Sequence, residues 1–190
     1  GADRAAHWTE KDVRRRIEFS LRCAYAHGTR AIRTHLDSLP PQDAITWPVF
    51  REVQAAWAGK IVLQAVCLIP VDAWTDDSGS FGVTADLVAE TTGGVLGMVT
   101  YPVPDLAQRL RGFFDQAGRR GLDADFHVDE TMDQSVETLR TIAEVALETG
   151  FAGKITVGHC CSLAAQETDR AHETLDLVAK AGLHVVSLPM

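Results

Sequence analysis

The sequence predicts an α/β protein of the (β/α)₈ TIM-barrel type, in which parallel strands alternate with helices. Short runs of β-branched and apolar residues recur about every 30 residues, and amphipathic stretches lie between them. The glycine-rich phosphate-binding motifs that are typical of open α/β sheets are absent from the sequence. These observations favour a barrel, while a doubly wound open sheet stays as the alternative.

The elements can be justified in chain order. A capping box at Thr9 and Asp12 opens a first helix, whose apolar stripe includes Val13 and Leu21 and which Gly28 follows. Later helices are indicated by apolar stripes over residues 106–117, 136–146 and 171–179. The predicted strands are residues 31–36, 61–68, 95–101, 124–128, 155–160 and 183–188.

The length of the chain bears on how much of a barrel is present. Eight strands with their helices typically take about 250 residues, whereas this chain has 190 residues and six predicted strands. No linker, low-complexity segment or shift in composition interrupts the pattern. We therefore expect a single partial (β/α) barrel domain over residues 1–190 and no second domain.

Composition and charge exclude several classes of partner. Lys and Arg total 18 against 26 Asp and Glu, which gives a net charge of −8 and argues against a nucleic acid or an anionic membrane surface. The apolar runs are too short to span a bilayer, and the N-terminus does not resemble a signal peptide. We therefore expect a cytoplasmic protein with reduced cysteines; association into a homo-oligomer is compatible with the sequence.

Two histidines are the first candidates for chemistry. His127 and His159 are predicted at the carboxyl ends of neighbouring strands, where parallel strands bring their side chains to one edge. Imidazole nitrogens suit Zn²⁺ or Fe²⁺. The alternative is that each is a hydrogen-bonded histidine of the core or rim.

Glu130 lies in the turn that follows His127, and we expect Thr131 or Asp133 to cap the next helix. A carboxylate in this turn can move a proton between a water molecule and a leaving nitrogen. The alternative is a solvated acid that the helix dipole stabilises. The adjacent Cys160 and Cys161 are interpreted as packing thiols.

Four further residues are candidates for lining the substrate. His35 ends the first predicted strand and Asp37 follows it, so both are expected at the barrel mouth. As an H-x-D pair they could bind a metal directly, or they could support the site from behind or face the substrate. Asp72 and Trp74 follow the second predicted strand and complete the set.

Three segments together resemble the cytosine deaminase branch of the amidohydrolase superfamily. They are Ala31-Ile-Arg-Thr-His35-Leu-Asp37, Phe126-His127-Val-Asp-Glu130 and Thr156-Val-Gly-His159-Cys-Cys-Ser-Leu163. The resemblance implies a (β/α)₈ barrel that binds one divalent metal ion, zinc or iron. It also implies that His127 is the metal ligand of the fifth strand, that Glu130 is the proton shuttle, and that His159 contacts the attacking water.

The resemblance places this chain within the barrel. The first predicted strand matches the second strand of the family, so the chain contains strands two to seven and lacks both the H-x-H strand and the Asp strand. We therefore expect the middle of a longer enzyme. Family members read a pyrimidine with a Gln after the third strand, whereas this chain has Asp72 and Trp74 in that region.

The function that follows is a metal-dependent amidohydrolase. Metal-bound hydroxide would attack the ring carbon of a small N-heterocycle with a cytosine-like amidine, and Glu130 would move the proton that lets ammonia leave. A cyclic amide hydrolase of the same superfamily is an alternative. A non-catalytic α/β domain that binds a ligand or a partner is the other alternative, if the 190 residues are the whole protein.

Overall fold

The computed structural model describes residues 7–73 and 78–187, and helices alternate with strands along these ranges. The helices are α1 (Glu10–Ala26), α2 (Asp43–Ala56), α3 (Ser78–Ala89), α4 (Leu106–Arg120), α5 (Thr138–Thr149) and α6 (Thr168–Lys180). The strands are β1 (Ala31–Asp37), β2 (Val62–Leu68), β3 (Leu96–Thr100), β4 (Ala124–Val128), β5 (Ile155–His159) and β6 (His184–Val186). None of the described helices is long and apolar enough to cross a membrane.

The strands lie side by side in chain order and all neighbours are parallel. β1 pairs with β2, and β3 to β6 form a second ladder. Parallel bridges from Val66 to Val95 and from Pro70 to Val99 join the two ladders. The predicted order of six parallel strands is therefore confirmed; the last strand is shorter than predicted, and residue 188 lies outside the described residues.

The sheet is curved, with a polar concave face. Nε2 of His35 on β1 lies 3.2 Å from Oδ1 of Asp125 on β4. Two strands separate β1 from β4, and a flat sheet with strands about 4.8 Å apart would hold them about 14 Å apart. Only a sheet that curls around its inner face allows this contact, as a barrel requires.

The convex face of the sheet carries the apolar core beneath the helices. Phe126 on β4 is fully buried, and its ring centroid lies 4.8 Å from that of Phe113 and 5.8 Å from that of Phe114, both on α4. Since successive strand residues face opposite sides, its neighbours Asp125 and His127 face the interior of the curve. The apolar packing of Phe126 thus fixes the direction of both polar side chains.

The start of α5 differs from the sequence prediction. Helix α5 begins at Thr138, so Thr131 and Asp133 do not cap it, and residue 136 of the predicted apolar stripe lies before it. The carboxylate of Asp129 accepts hydrogen bonds from the Thr138 backbone N–H at 3.1 Å, from the Thr138 hydroxyl at 2.5 Å and from the Leu139 N–H at 3.1 Å. The prediction failed because Asp129 reaches the helix from across a loop, outside the local spacing of a capping box.

The four cysteines have free thiols, as expected. Cys67 and Cys160 are buried, and burial raises the pKa of each thiol to about 12. Both are therefore protonated and unreactive near neutral pH. The interpretation of Cys160 as a packing residue agrees with this environment.

Candidate active site

His127 and His159 meet at the carboxyl ends of β4 and β5. Nδ1 of His127 lies 3.4 Å from Nε2 of His159, and their ring centroids are 4.9 Å apart. The side chain of His159 is 14% exposed, so a small molecule at the mouth can still reach it. Parallel pairing of β4 with β5 places these strand ends side by side.

His159 reaches this position because β5 ends in an unusual backbone conformation. The Thr156 hydroxyl faces the interior, where it accepts a hydrogen bond from Arg33 at 3.1 Å. Regular alternation from Thr156 would turn His159 towards the helices. Instead His159 has φ 68° and Cys160 has φ 52°, a left-handed conformation that is costly for residues other than glycine and that is concentrated at functional sites.

Glu130 lies in the loop after β4, beside this histidine pair. Its Oε1 is 3.7 Å from Nδ1 of His159, and its side chain is 67% exposed. Asp129, not Glu130, contacts the first turn of α5. The interpretation of Glu130 as an acid held by the helix dipole is therefore not supported by its position.

The ring of His35 also packs against the ring of His127. The His35 and His127 ring centroids are 4.4 Å apart at an interplanar angle of 72°. Nε2 of His35 lies 3.2 Å from Oδ1 of Asp125, and Oδ2 of Asp125 accepts a hydrogen bond from Arg33 at 3.0 Å. The His127 ring is thus flanked by two other imidazoles.

Asp125 was not singled out from the sequence, although a signal for it exists. It lies two residues before His127 on the same strand and therefore on the same face. Its side chain is only 6% exposed, and buried carboxylates are rare unless they are paired or functional. A charged residue two positions before His127, in a strand whose other residues are apolar, was the available clue.

The donor set fits a divalent ion. One ligand atom each from His35, Asp125 and His127 lie within 4.8 Å of one another, and two imidazoles with a carboxylate are donors that zinc and iron accept. Burial lowers the pKa of His127, and the neighbouring His35 and His159 lower it further. A neutral imidazole is the form that binds a metal, so His127 is the member of this group that is best suited to act as a ligand. Both oxygens of Asp125 already accept hydrogen bonds, which leaves this carboxylate less available to an ion.

The remaining predicted residues lie around this edge of the sheet. Asp37 is the exposed last residue of β1. Asp72 lies in a short 3₁₀ turn, Val71–Ala73, after β2. The pKa of Tyr101, the residue after β3, is raised by burial and by its hydrogen bond to Asp72. Trp74 lies outside the described residues.

Comparison with solved structures identifies the class of fold. No protein-family model matches the chain. The 5-methylcytosine deaminase of Klebsiella pneumoniae matches with a TM-score of 0.81 and 21% identity, over 97% of this chain and 45% of that one. The N-isopropylammelide isopropylaminohydrolase of Burkholderia multivorans matches with a TM-score of 0.62 and 23% identity, over 88% of this chain and 43% of that one. The chain therefore has the fold of part of these two enzymes, with parallel strands that alternate with helices.

Among curated proteins, a relative with much higher identity is the pterin deaminase of Rhizobium rhizogenes. It is 53% identical over 189 residues, which are 100% of this chain and 43% of the relative. The chain thus spans less than half the length of the curated relative it matches. The resemblance to the cytosine deaminase-like branch of the amidohydrolase superfamily is confirmed for this part of the barrel.

Proposed function

We propose that this protein is a metal-dependent hydrolase that deaminates a small N-heterocycle. The observation that carries the proposal is the meeting of His127, His159 and the Glu130 carboxylate at the carboxyl ends of two neighbouring parallel strands. TIM-barrel enzymes place their chemistry at this edge. The 53% identity to a pterin deaminase supports the same reaction.

The substrate class follows from the relatives. Pterin and 5-methylcytosine, named in two of them, both carry an exocyclic amino group on a pyrimidine ring. Pterin is the favoured substrate because its deaminase has 53% identity to this chain, against 21% for the other. Asp37 and Asp72 are proposed to line the substrate together with His35 and Trp74.

One divalent ion, zinc or iron, is the proposed cofactor, with His127 as a ligand. When bound, the ion would lower the pKa of a water molecule towards neutrality. His159 would hydrogen-bond the attacking water. Glu130 would take a proton from that water and deliver it to the departing nitrogen, which its exposed position beside His159 allows.

The proposal also covers the partners and the location of the enzyme. Its partner is a small heterocycle, and neither a nucleic acid nor a membrane surface fits the net charge of −8. A cytoplasmic location is proposed, and self-association into a homo-oligomer is compatible with it. Ring opening of a cyclic amide is the second candidate, because it uses the same attack on a ring carbon without loss of an amino group.

The test combines metal analysis with an ammonia-release screen on the full-length protein. The screen covers pterins, pyrimidines, triazines and creatinine-like rings. His127→Ala should remove most of the metal and all turnover, whereas His159→Ala should keep most of the metal and turn over slowly. His172→Ala, an exposed position on α6, is the matched control and should resemble the wild type.

Each outcome of this test is informative. Equal metal loss in the His127 and His159 variants would contradict the roles proposed here. Ring opening without ammonia would replace deamination by the cyclic amide reaction. A wild-type protein that binds heterocycles but holds no metal and turns over none of them would favour a non-catalytic binding domain.

A further inference from the structure

The interior of the curved sheet contains a buried carboxylate whose two oxygens have different partners. Oδ1 of Asp125 lies 3.2 Å from Nε2 of His35, and Oδ2 lies 3.0 Å from the guanidinium of Arg33. Arg33 also donates to Gln64 at 3.2 Å and to Thr156 at 3.1 Å. The cluster therefore connects β1 with β4 and β5 across the inside of the barrel.

Stability alone does not explain this cluster. Removing charges from water is costly, and a buried ion pair commonly contributes no more than well-packed apolar residues would. An apolar layer is the usual filling of a barrel interior. The polar groups also lie in one particular place, next to the ring of His127.

The hydrogen bond to Asp125 fixes the orientation of His35. An ionised carboxylate only accepts hydrogen bonds, so Nε2 of His35 is the donor. The His35 ring is then held edge to face against His127, with centroids 4.4 Å apart. The His159 ring also lies against His127, with centroids 4.9 Å apart, so two neighbouring rings limit rotation of the His127 ring.

We propose that Asp125 is a positioning residue that acts through His35 to hold the imidazole of His127 in place. This inference rests on the proposed function, in which His127 binds a metal. Arg33 balances the charge of Asp125 by donating to its Oδ2, and this contact is not required for the hydrogen bond between His35 and Oδ1. Asp125 itself is not a metal ligand in this proposal.

A double-mutant cycle on the full-length protein tests the proposal, with Zn²⁺ affinity measured by chelator competition. Asp125→Ala and His35→Ala should each weaken Zn²⁺ binding about 10- to 100-fold, as loss of groups behind a metal ligand commonly does. The double variant should be no weaker than the worse single variant, because both substitutions break the same path. Asp125→Asn keeps an amide oxygen for His35 and should stay within about threefold of wild type.

Thr156→Val is the matched control, since it removes a partner of Arg33 and leaves the bond between Asp125 and His35 intact. It should leave Zn²⁺ affinity unchanged. An Asp125→Ala loss that persists in the His35→Ala background would make Asp125 a direct ligand and overturn the proposal. If Asp125→Ala lowers the melting temperature but leaves Zn²⁺ affinity unchanged, the cluster has only a structural role, and the proposal is also overturned.

A second measurement tests the positioning role of Asp125 without a bound metal. In metal-free protein with ¹⁵N-labelled histidine, Asp125→Ala should shift the ring nitrogen signals of His127 further than Asp125→Asn, which removes the same charge but keeps an oxygen for His35, and Thr156→Val should not shift them. If the wild type binds neither Zn²⁺ nor Fe²⁺, the proposed function fails, and the His127 signals of these variants then decide whether Asp125 positions His127. Unchanged His127 signals in Asp125→Ala would refute the positioning role.

Discussion

The substitution Glu130→Gln separates a catalytic role from a structural one, because the position contributes little to stability. Its carboxylate is 67% exposed and lies 3.7 Å from Nδ1 of His159. An exposed pair of this kind contributes about 0 to 1 kcal/mol, and α5 begins only at Thr138, beyond the reach of a dipole effect from Glu130. The free energy of unfolding should therefore change by less than about 1 kcal/mol.

The expected effect on turnover is much larger. Loss of a general acid-base group typically lowers the rate by about 10²- to 10⁴-fold, which corresponds to about 3 to 5 kcal/mol of activation free energy. The amide has the shape of the carboxylate but does not accept and release a proton at neutral pH. We expect wild-type metal content and ligand binding for Glu130→Gln, with kcat lowered by at least about 100-fold in an ammonia-release assay.

The matched control is Glu167→Gln. Glu167 is exposed at the start of α6, at the same end of the barrel, and its side chain makes no capping hydrogen bond. It should retain full activity. A Glu130→Gln enzyme with full metal content and kcat within about threefold of wild type would refute the proton-shuttle role.

Three further predictions concern the scaffold. Asp129→Ala should cost about 2 kcal/mol in urea unfolding, because it removes the cap of α5 and leaves alanine at φ 48°; a loss below about 0.5 kcal/mol would contradict this. Gly97→Ala should lower the free energy of unfolding by about 3 kcal/mol or more, because the added Cβ would lie 2.2 Å from the carbonyl oxygen of Cys67. The control Gly158→Ala should lower it by about 1 kcal/mol or less in the same assay, because the nearest atom to its Cβ lies 3.7 Å away. Exposed Cys23 should react with a thiol reagent at pH 8. Buried Cys67 has a pKa of about 12 and should react only when the protein unfolds; equal reaction rates for the two thiols would refute the burial of Cys67.

The order of strands and helices could be predicted because it depends on local patterns. The strand Ala124–Val128 was predicted at its observed bounds, and the capping box at Thr9 is present. The start of α5 could not be predicted in this way. Asp129 caps that helix from nine and ten residues away, a distance that no local capping pattern covers.

The candidate site was predictable only in part. His127, His159 and Glu130 could be placed at one mouth because parallel strands end at one edge of the sheet. The contact of His35 with Asp125 depends on curvature, which brings together residues 90 positions apart in sequence. The alternation of side chains along β4 puts Asp125 on the inner face. That pattern does not identify which side chain of another strand Asp125 contacts.

The backbone at the two strand ends explains how Glu130 and His159 form one unit. Asp129, His159 and Cys160 all have positive φ. The carbonyl oxygen of Asp129 accepts a hydrogen bond from the Cys161 N–H at 3.0 Å, and the Val128 carbonyl oxygen accepts one from the Cys160 N–H at 2.9 Å. The parallel pairing of β4 and β5 is thereby continued beyond the strands, while the left-handed residues turn Glu130 and His159 over the mouth. Strain at each of these residues costs about 1 to 3 kcal/mol, and the bonds between the two turns hold both side chains in the same place.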